Sequence, residues 1–175
     1  MGRTAKVNIE YVNDKRYIGL RSLVKTKSIF NFDFLFDEIG KNLLPFDEKT
    51  FYSSKQRYVA FSTNCDTGKL VAFEKGKTKD LMMACRSSCC MPLVSPIINV
   101  EGLHCLDGGI ANPIPVEWAI KQGYEKIVVV LTRQEGYRKK PVSKAMLRAY
   151  QHKYREYPQL LKKLEQIPAH YNYLQ

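Results

Sequence analysis

Histidine is scarce in this chain: His104, His152 and His170 are the only three among 175 residues. His104 lies three residues before Asp107 on an extended run, so strand alternation turns the two side chains to opposite faces. His152 and His170 fall in a basic tail, and all three histidines read as structural or solvated. Long apolar runs are also missing. Ile127–Leu131 has the length of a buried strand and is far too short to cross a bilayer. The first residues, Met1-Gly2-Arg3-Thr4-Ala5-Lys6, are polar and basic rather than a secretory leader. Lys6 stands where a myristoylation signal wants Ser or Thr. No low-complexity tract or internal repeat interrupts the chain.

Cysteine is present in odd number, as Cys65, Cys85, Cys89, Cys90 and Cys105, which does not suit the even framework of a small secreted protein. Reduced thiols in a cytosolic protein are the simpler reading, and the expected location is cytoplasmic or peripheral at a membrane. Cys85, Cys89, Cys90 and Cys105 could be brought near one another, but there is no C-x2-C pair. Core packing is therefore preferred to zinc, and no cofactor or metal is expected. Acidic residues are in deficit, 17 against 28 Lys and Arg, for a net charge of +11. From Gln134 onward, Arg138, Lys139, Lys140, Lys144, Arg148, Lys153, Arg155, Lys162 and Lys163 face only Glu135, Glu156 and Glu165. A surplus of this kind is usually a solvated helix face, and it can also draw an anionic membrane surface. No nucleic-acid motif accompanies the charge, so nucleic acid is not an expected partner.

What remains is an apolar fraction of 45%, enough in a chain of this length for one globular domain. Residues 1–50 read as mostly helical with loops; Asn31 or Asp33 can cap a short helix running to Gly40, and Asp47 a brief turn. The β-rich runs "RYVAFST" and "KLVAFEK" flank Asn64-Cys65-Asp66-Thr67-Gly68, a turn signal, and predict an antiparallel hairpin. Asp80–Ser88 reads as a helix ended by Pro92 and Pro96. Two short runs then meet at Glu101-Gly102, and the second leads into "LDGGIANPIP". After Asn112-Pro113-Ile114-Pro115 a helix runs to Gly123. The continuous apolar run "KIVVVLTR" then reads as a strand buried on both sheet faces. Strand, helix, strand in that order predicts a parallel crossover and an α/β class. The tail predicts an amphipathic, Tyr-rich helix pair broken at Pro158. Core packing is its plainer role and a membrane-surface helix the sharper one.

Asp107 ends a predicted buried strand, where ligands gather in open α/β sheets, yet Asp-Gly is also a common plain turn. The wider order of segments decides between them. Thr63-Asn64 followed by Thr67-Gly68, the small-residue helix from Ala84 to Pro92, Asp107-Gly108-Gly109 and "NPIPVEWAIKQG" leading into "KIVVVLTR" together resemble the patatin-like acyl hydrolases. The resemblance is strong over about residues 56–140. It implies a partial three-layer patatin-like fold, with a mixed, mainly parallel sheet between helices. It also implies that Asp107 is the base of a Ser-Asp dyad, presented by Gly108 and Gly109 and acting on a lipid or other acyl ester.

That family carries its nucleophile in G-x-S-x-G on a sharp strand-to-helix turn. None of Ser22, Ser28, Ser53, Ser54, Ser62, Ser87, Ser88, Ser95 and Ser143 lies in such a setting. Ser87 and Ser88 lack the glycine elbow and an oxyanion loop. The expectation is a single, partial domain over residues 1–175, truncated before the nucleophile and also at its end, and inactive by itself. Its exposed sheet edges would favour self-association. The alternative is a non-catalytic module that binds lipid or a membrane surface.

Overall fold

The computed structural model of the chain describes residues 9–11, 13–17, 28 and 30–174. The helical reading of the first residues therefore lies largely outside it. Asn31 accepts the Phe34 N–H at 3.0 Å and so caps the first turn. The helix that follows is a π-helix, Phe34–Leu43, and it passes through Gly40. Asp33 makes no cap; its carboxylate pairs with Arg86 instead. Asp47 caps α1 (Glu48–Ser53) by accepting the Thr50 N–H, as its position predicts.

Four strands form one sheet: β1 (Val59–Asn64), β2 (Leu70–Glu74), β3 (Ile98–Val100) and β4 (Leu103–Asp107). The spatial order is β2-β1-β4-β3, and every neighbouring pair is antiparallel. The β1–β2 hairpin forms at the predicted turn, where the Asn64 side chain accepts the Thr67 N–H at 3.0 Å. Gly68 there has φ +65°, and a Cβ would lie 2.8 Å from the Gln159 carbonyl oxygen, so the turn and the tail meet backbone to backbone. The second hairpin turns at Glu101-Gly102, again where the sequence places it.

Helices cover both faces. On one, α2 (Leu81–Ser88), capped by Asp80, packs Leu81 and Ala84 against Ala60, Phe73, Val100 and Cys105. On the other, the tail helices α4 (Lys144–Lys153) and α5 (Pro158–Tyr173) close over Cys65 and Leu106 with Leu160 and Leu164. Tyr154, just past α4, is buried with them, and its hydroxyl accepts the Leu93 N–H at 2.8 Å. Lys153 donates to the Leu93 and Ser95 carbonyls beside it. Core packing is thus the role of Tyr150, Tyr154, Tyr157, Leu160, Leu161, Leu164 and Ile167, and Pro158 opens the second helix as its fixed φ allows. The short α3 (Val116–Lys121) follows the Pro-rich entry.

The fold is α/β, but two expectations need correction. The sheet is antiparallel, not mainly parallel, and "KIVVVLTR" does not join it. Both edges of β4 are already taken by β1 and β3, so the segment after α3 has no place beside the strand it was expected to parallel. A continuous apolar run marks a strand that wants neighbours on both faces. Here Val128 and Val130 remain 90% and 86% exposed.

Candidate active site

Asp107 is the last residue of β4 and stands opposite Ser62 of β1. Its backbone is held on several sides. The Asp107 N–H donates to the Cys90 carbonyl at 2.9 Å, and the Thr63 hydroxyl donates to the Asp107 carbonyl at 2.8 Å. The same Thr63 oxygen accepts the Ala111 N–H at 3.0 Å, so one side chain ties the two ends of the Gly-Gly turn together. The turn itself is a 3-10 segment, Gly108–Ile110. Gly108 is required by close approach: a Cβ would fall 2.5 Å from the Phe61 carbonyl oxygen. Gly109 supplies an N–H that donates to the Asp107 carboxylate at 2.7 Å.

The carboxyl group is half-buried, and burial raises its pKa above the ordinary carboxylate value. Two contributions oppose the shift: the Gly109 N–H, and the Lys139 ammonium within electrostatic range. Lys139 is anchored from the tail, because its backbone N–H and carbonyl both pair with the Asn172 side chain of α5, at 2.8 and 3.0 Å. Its ammonium lies 4.4 Å from the centre of the Tyr171 ring, and burial lowers its pKa. Such a carboxylate is fixed in place and made more basic without being locked into an ion pair, which suits a general base.

Among the described residues no serine side chain hydrogen-bonds to the Asp107 carboxylate. Ser62 and Ser87 are fully buried and bond to each other at 2.6 Å, with Ser87 donating on to the Ala84 carbonyl. Ser88 donates to the Cys85 carbonyl at 2.8 Å. These hydroxyls are committed to holding α2 and β1 in place. Ser22 lies outside the described residues. His104 points to the face opposite Asp107, against the Tyr157 ring and 3.3 Å from Asp66. All five cysteines are free. Burial pushes the thiols of Cys65 and Cys90 up to about 12 and that of Cys105 to about 11, which keeps them protonated.

The sequence reading missed two contributors, Lys139 and the second role of Thr63. Lys139 is one of nine basic residues in the tail, and nothing in its local sequence separates it from the rest. Thr63 had a signal, since a β-branched hydroxyl residue in a strand next to a turn is well placed to bridge backbone groups. No helix among the described residues is long and apolar enough to cross a membrane. A comparison with solved structures finds no match. The family model for patatin-like phospholipases matches residues 4–120, a span that takes in all four strands and the Asp107 turn; the chain belongs to the patatin-like phospholipase family, a family of lipid acyl hydrolases.

Proposed function

We propose that this chain carries the base-bearing part of a serine acyl-ester hydrolase acting on lipid esters, with Asp107 as the base and the nucleophilic serine outside the chain. The observation that carries this reading is the Asp107 carboxylate itself. It is held by Gly109, raised in pKa by burial, and placed at a strand end where its backbone cannot shift. In the reaction, Asp107 takes the proton of the serine hydroxyl as the serine oxygen attacks the ester carbonyl carbon. The tetrahedral intermediate expels the alcohol, which leaves with that proton, and an acyl-serine remains. Water then attacks the acyl-serine, giving its proton to Asp107, and the carboxylic acid departs as the serine is re-protonated.

Gly108 and Gly109 are positioning residues: the first lets β4 approach β1, and the second fixes the carboxylate. A fluorophosphonate probe, which reacts with activated serines, tests the assignment. It should label the protein from the complete reading frame and leave this 175-residue chain unlabelled. Labelling of the chain as given, at any of its own serines, would overturn the proposal.

A second reading, a lipid-surface module, is favoured by the solvent-facing basic residues of the tail helices, Lys144, Arg148 and Lys162. Sedimentation with anionic vesicles that falls steeply with salt supports it, and equal binding to neutral vesicles removes it.

A further inference from the structure

Leu93 holds φ +67°, in the left-handed region that favours glycine and that a leucine reaches only under constraint. The constraint comes from the tail. The Tyr154 hydroxyl accepts the Leu93 N–H at 2.8 Å, and the Lys153 ammonium donates to the Leu93 carbonyl at 2.9 Å and the Ser95 carbonyl at 3.3 Å. Both polar groups of the Leu93 backbone are thus held by two adjacent side chains, 60 and 61 residues further along the chain.

The loop they grip leads straight to the candidate base. Cys90 is fully buried, and its carbonyl accepts the Asp107 N–H at 2.9 Å. Only Met91 and Pro92 separate it from Leu93. Proline fixes its own φ and restricts the residue before it, so little play is left between Cys90 and Leu93. Tyr154 is 1% exposed and shares a core with Cys90 and with Leu106, the neighbour of Asp107. The tail is itself seated without slack, since Gly68 has no room for a Cβ against the Gln159 carbonyl. Lys153 and Tyr154 lie beyond residue 120, where the family match ends.

We propose that Tyr154 and Lys153 are positioning residues for Asp107: from the tail they hold Leu93 in its left-handed turn, and that turn fixes the Cys90 carbonyl to which the Asp107 backbone is bonded. Their role in turnover rests on Asp107 being the base. Their hydrogen bonds go to Leu93 and Ser95 and not to the carboxylate, so their loss should change the rate and not the affinity for substrate. Without the Tyr154 hydroxyl, the Leu93 N–H loses its partner, the turn relaxes, and the Cys90 carbonyl moves off the Asp107 N–H.

Residue-resolved amide hydrogen exchange in the 175-residue chain tests the clamp without any activity. Tyr154→Phe keeps the ring in the core and removes only the hydroxyl. It should speed exchange at Leu93 and Asp107 about tenfold, the loss expected when one donor is left unpaired, while amides of β2 change by about twofold or less. Lys153→Met should loosen Asp107 likewise, and Lys153→Arg, which can still donate to both carbonyls, should keep the wild-type protection. In the protein from the complete reading frame, Tyr154→Phe should lower kcat for a lipid ester about tenfold at unchanged KM. Unchanged exchange at Asp107, a rise spread equally over β2, Lys153→Arg as loose as Lys153→Met, or an unchanged kcat would each overturn the proposal. Wild-type turnover by folded Asp107→Asn would instead remove the base reading, and the exchange rates, which need no catalysis, would still decide the clamp.

Discussion

Replacing Gly108 with alanine tests how the Asp107 turn is built. The added Cβ would lie 2.5 Å from the Phe61 carbonyl oxygen and 2.7 Å from its carbon, both backbone atoms in the middle of the sheet. An ordinary carbon–oxygen contact needs at least about 3.3 Å, so β1 and β4 must separate by roughly 1 Å at this point. The Thr63 hydroxyl bond to the Asp107 carbonyl, now 2.8 Å, would stretch beyond the range in which it holds. Overpacking of this kind costs about 1–3 kcal/mol, which in a chain of this size lowers the melting temperature by roughly 2–12 °C. Gly109→Ala is the matched control. There the new Cβ meets only the Asp107 carboxylate oxygen, at 3.0 Å, and that side chain can rotate away. It should therefore destabilise less than Gly108→Ala while displacing the carboxylate. Thermal unfolding followed by circular dichroism compares the two directly. An unchanged midpoint for Gly108→Ala, or a larger loss for Gly109→Ala, would refute the close-approach argument.

Three other outcomes follow from the same contacts. Because burial raises the Asp107 pKa, the folded chain binds its proton more tightly than the unfolded chain does. Stability from this group is therefore full below the ordinary carboxylate value of 3.8 and is lost as pH rises through the higher folded value. Asp107→Asn should remove that slope and be more stable than wild type at neutral pH, as denaturant titration at several pH values would show; equal slopes would contradict it. In the buried hydroxyl pair, Ser87→Ala leaves Ser62 without a partner and should cost about 1–3 kcal/mol, whereas Ser62→Ala leaves Ser87 bonded to Ala84 and should cost about 0.5–1.5 kcal/mol. Reversal of that order in urea melts would remove the assigned donor directions. Glu74, gripped by Arg57 and Lys77, has its carboxyl pKa lowered to about 2. Its NMR titration should return toward the ordinary range in Arg57→Ala.

The sequence was most legible where local rules act alone. The turns at Asn64–Gly68 and Glu101-Gly102, the Asp47 cap, and the break at Pro158 all form where side-chain chemistry places them. The failures are non-local. Ile127–Leu131 has the composition of a central strand, but strand formation needs a free neighbour, and β4 has none. Gly40 is tolerated in the middle of a π-helix rather than ending it, because the backbone there does not turn left-handed. At the candidate site, Asp107 and its glycines could be read from one short motif. Lys139 could not, because only the packing of α5, through Asn172 and Tyr171, brings it toward the carboxylate.

The role of Asp107 is tested most directly by turnover. Ester hydrolysis is to be measured in the protein from the complete reading frame, wild type and Asp107→Asn, with circular dichroism to establish that both fold. The account predicts that the variant still folds and melts cooperatively while hydrolysis of a lipid ester disappears. Turnover by folded Asp107→Asn at the wild-type rate would contradict it.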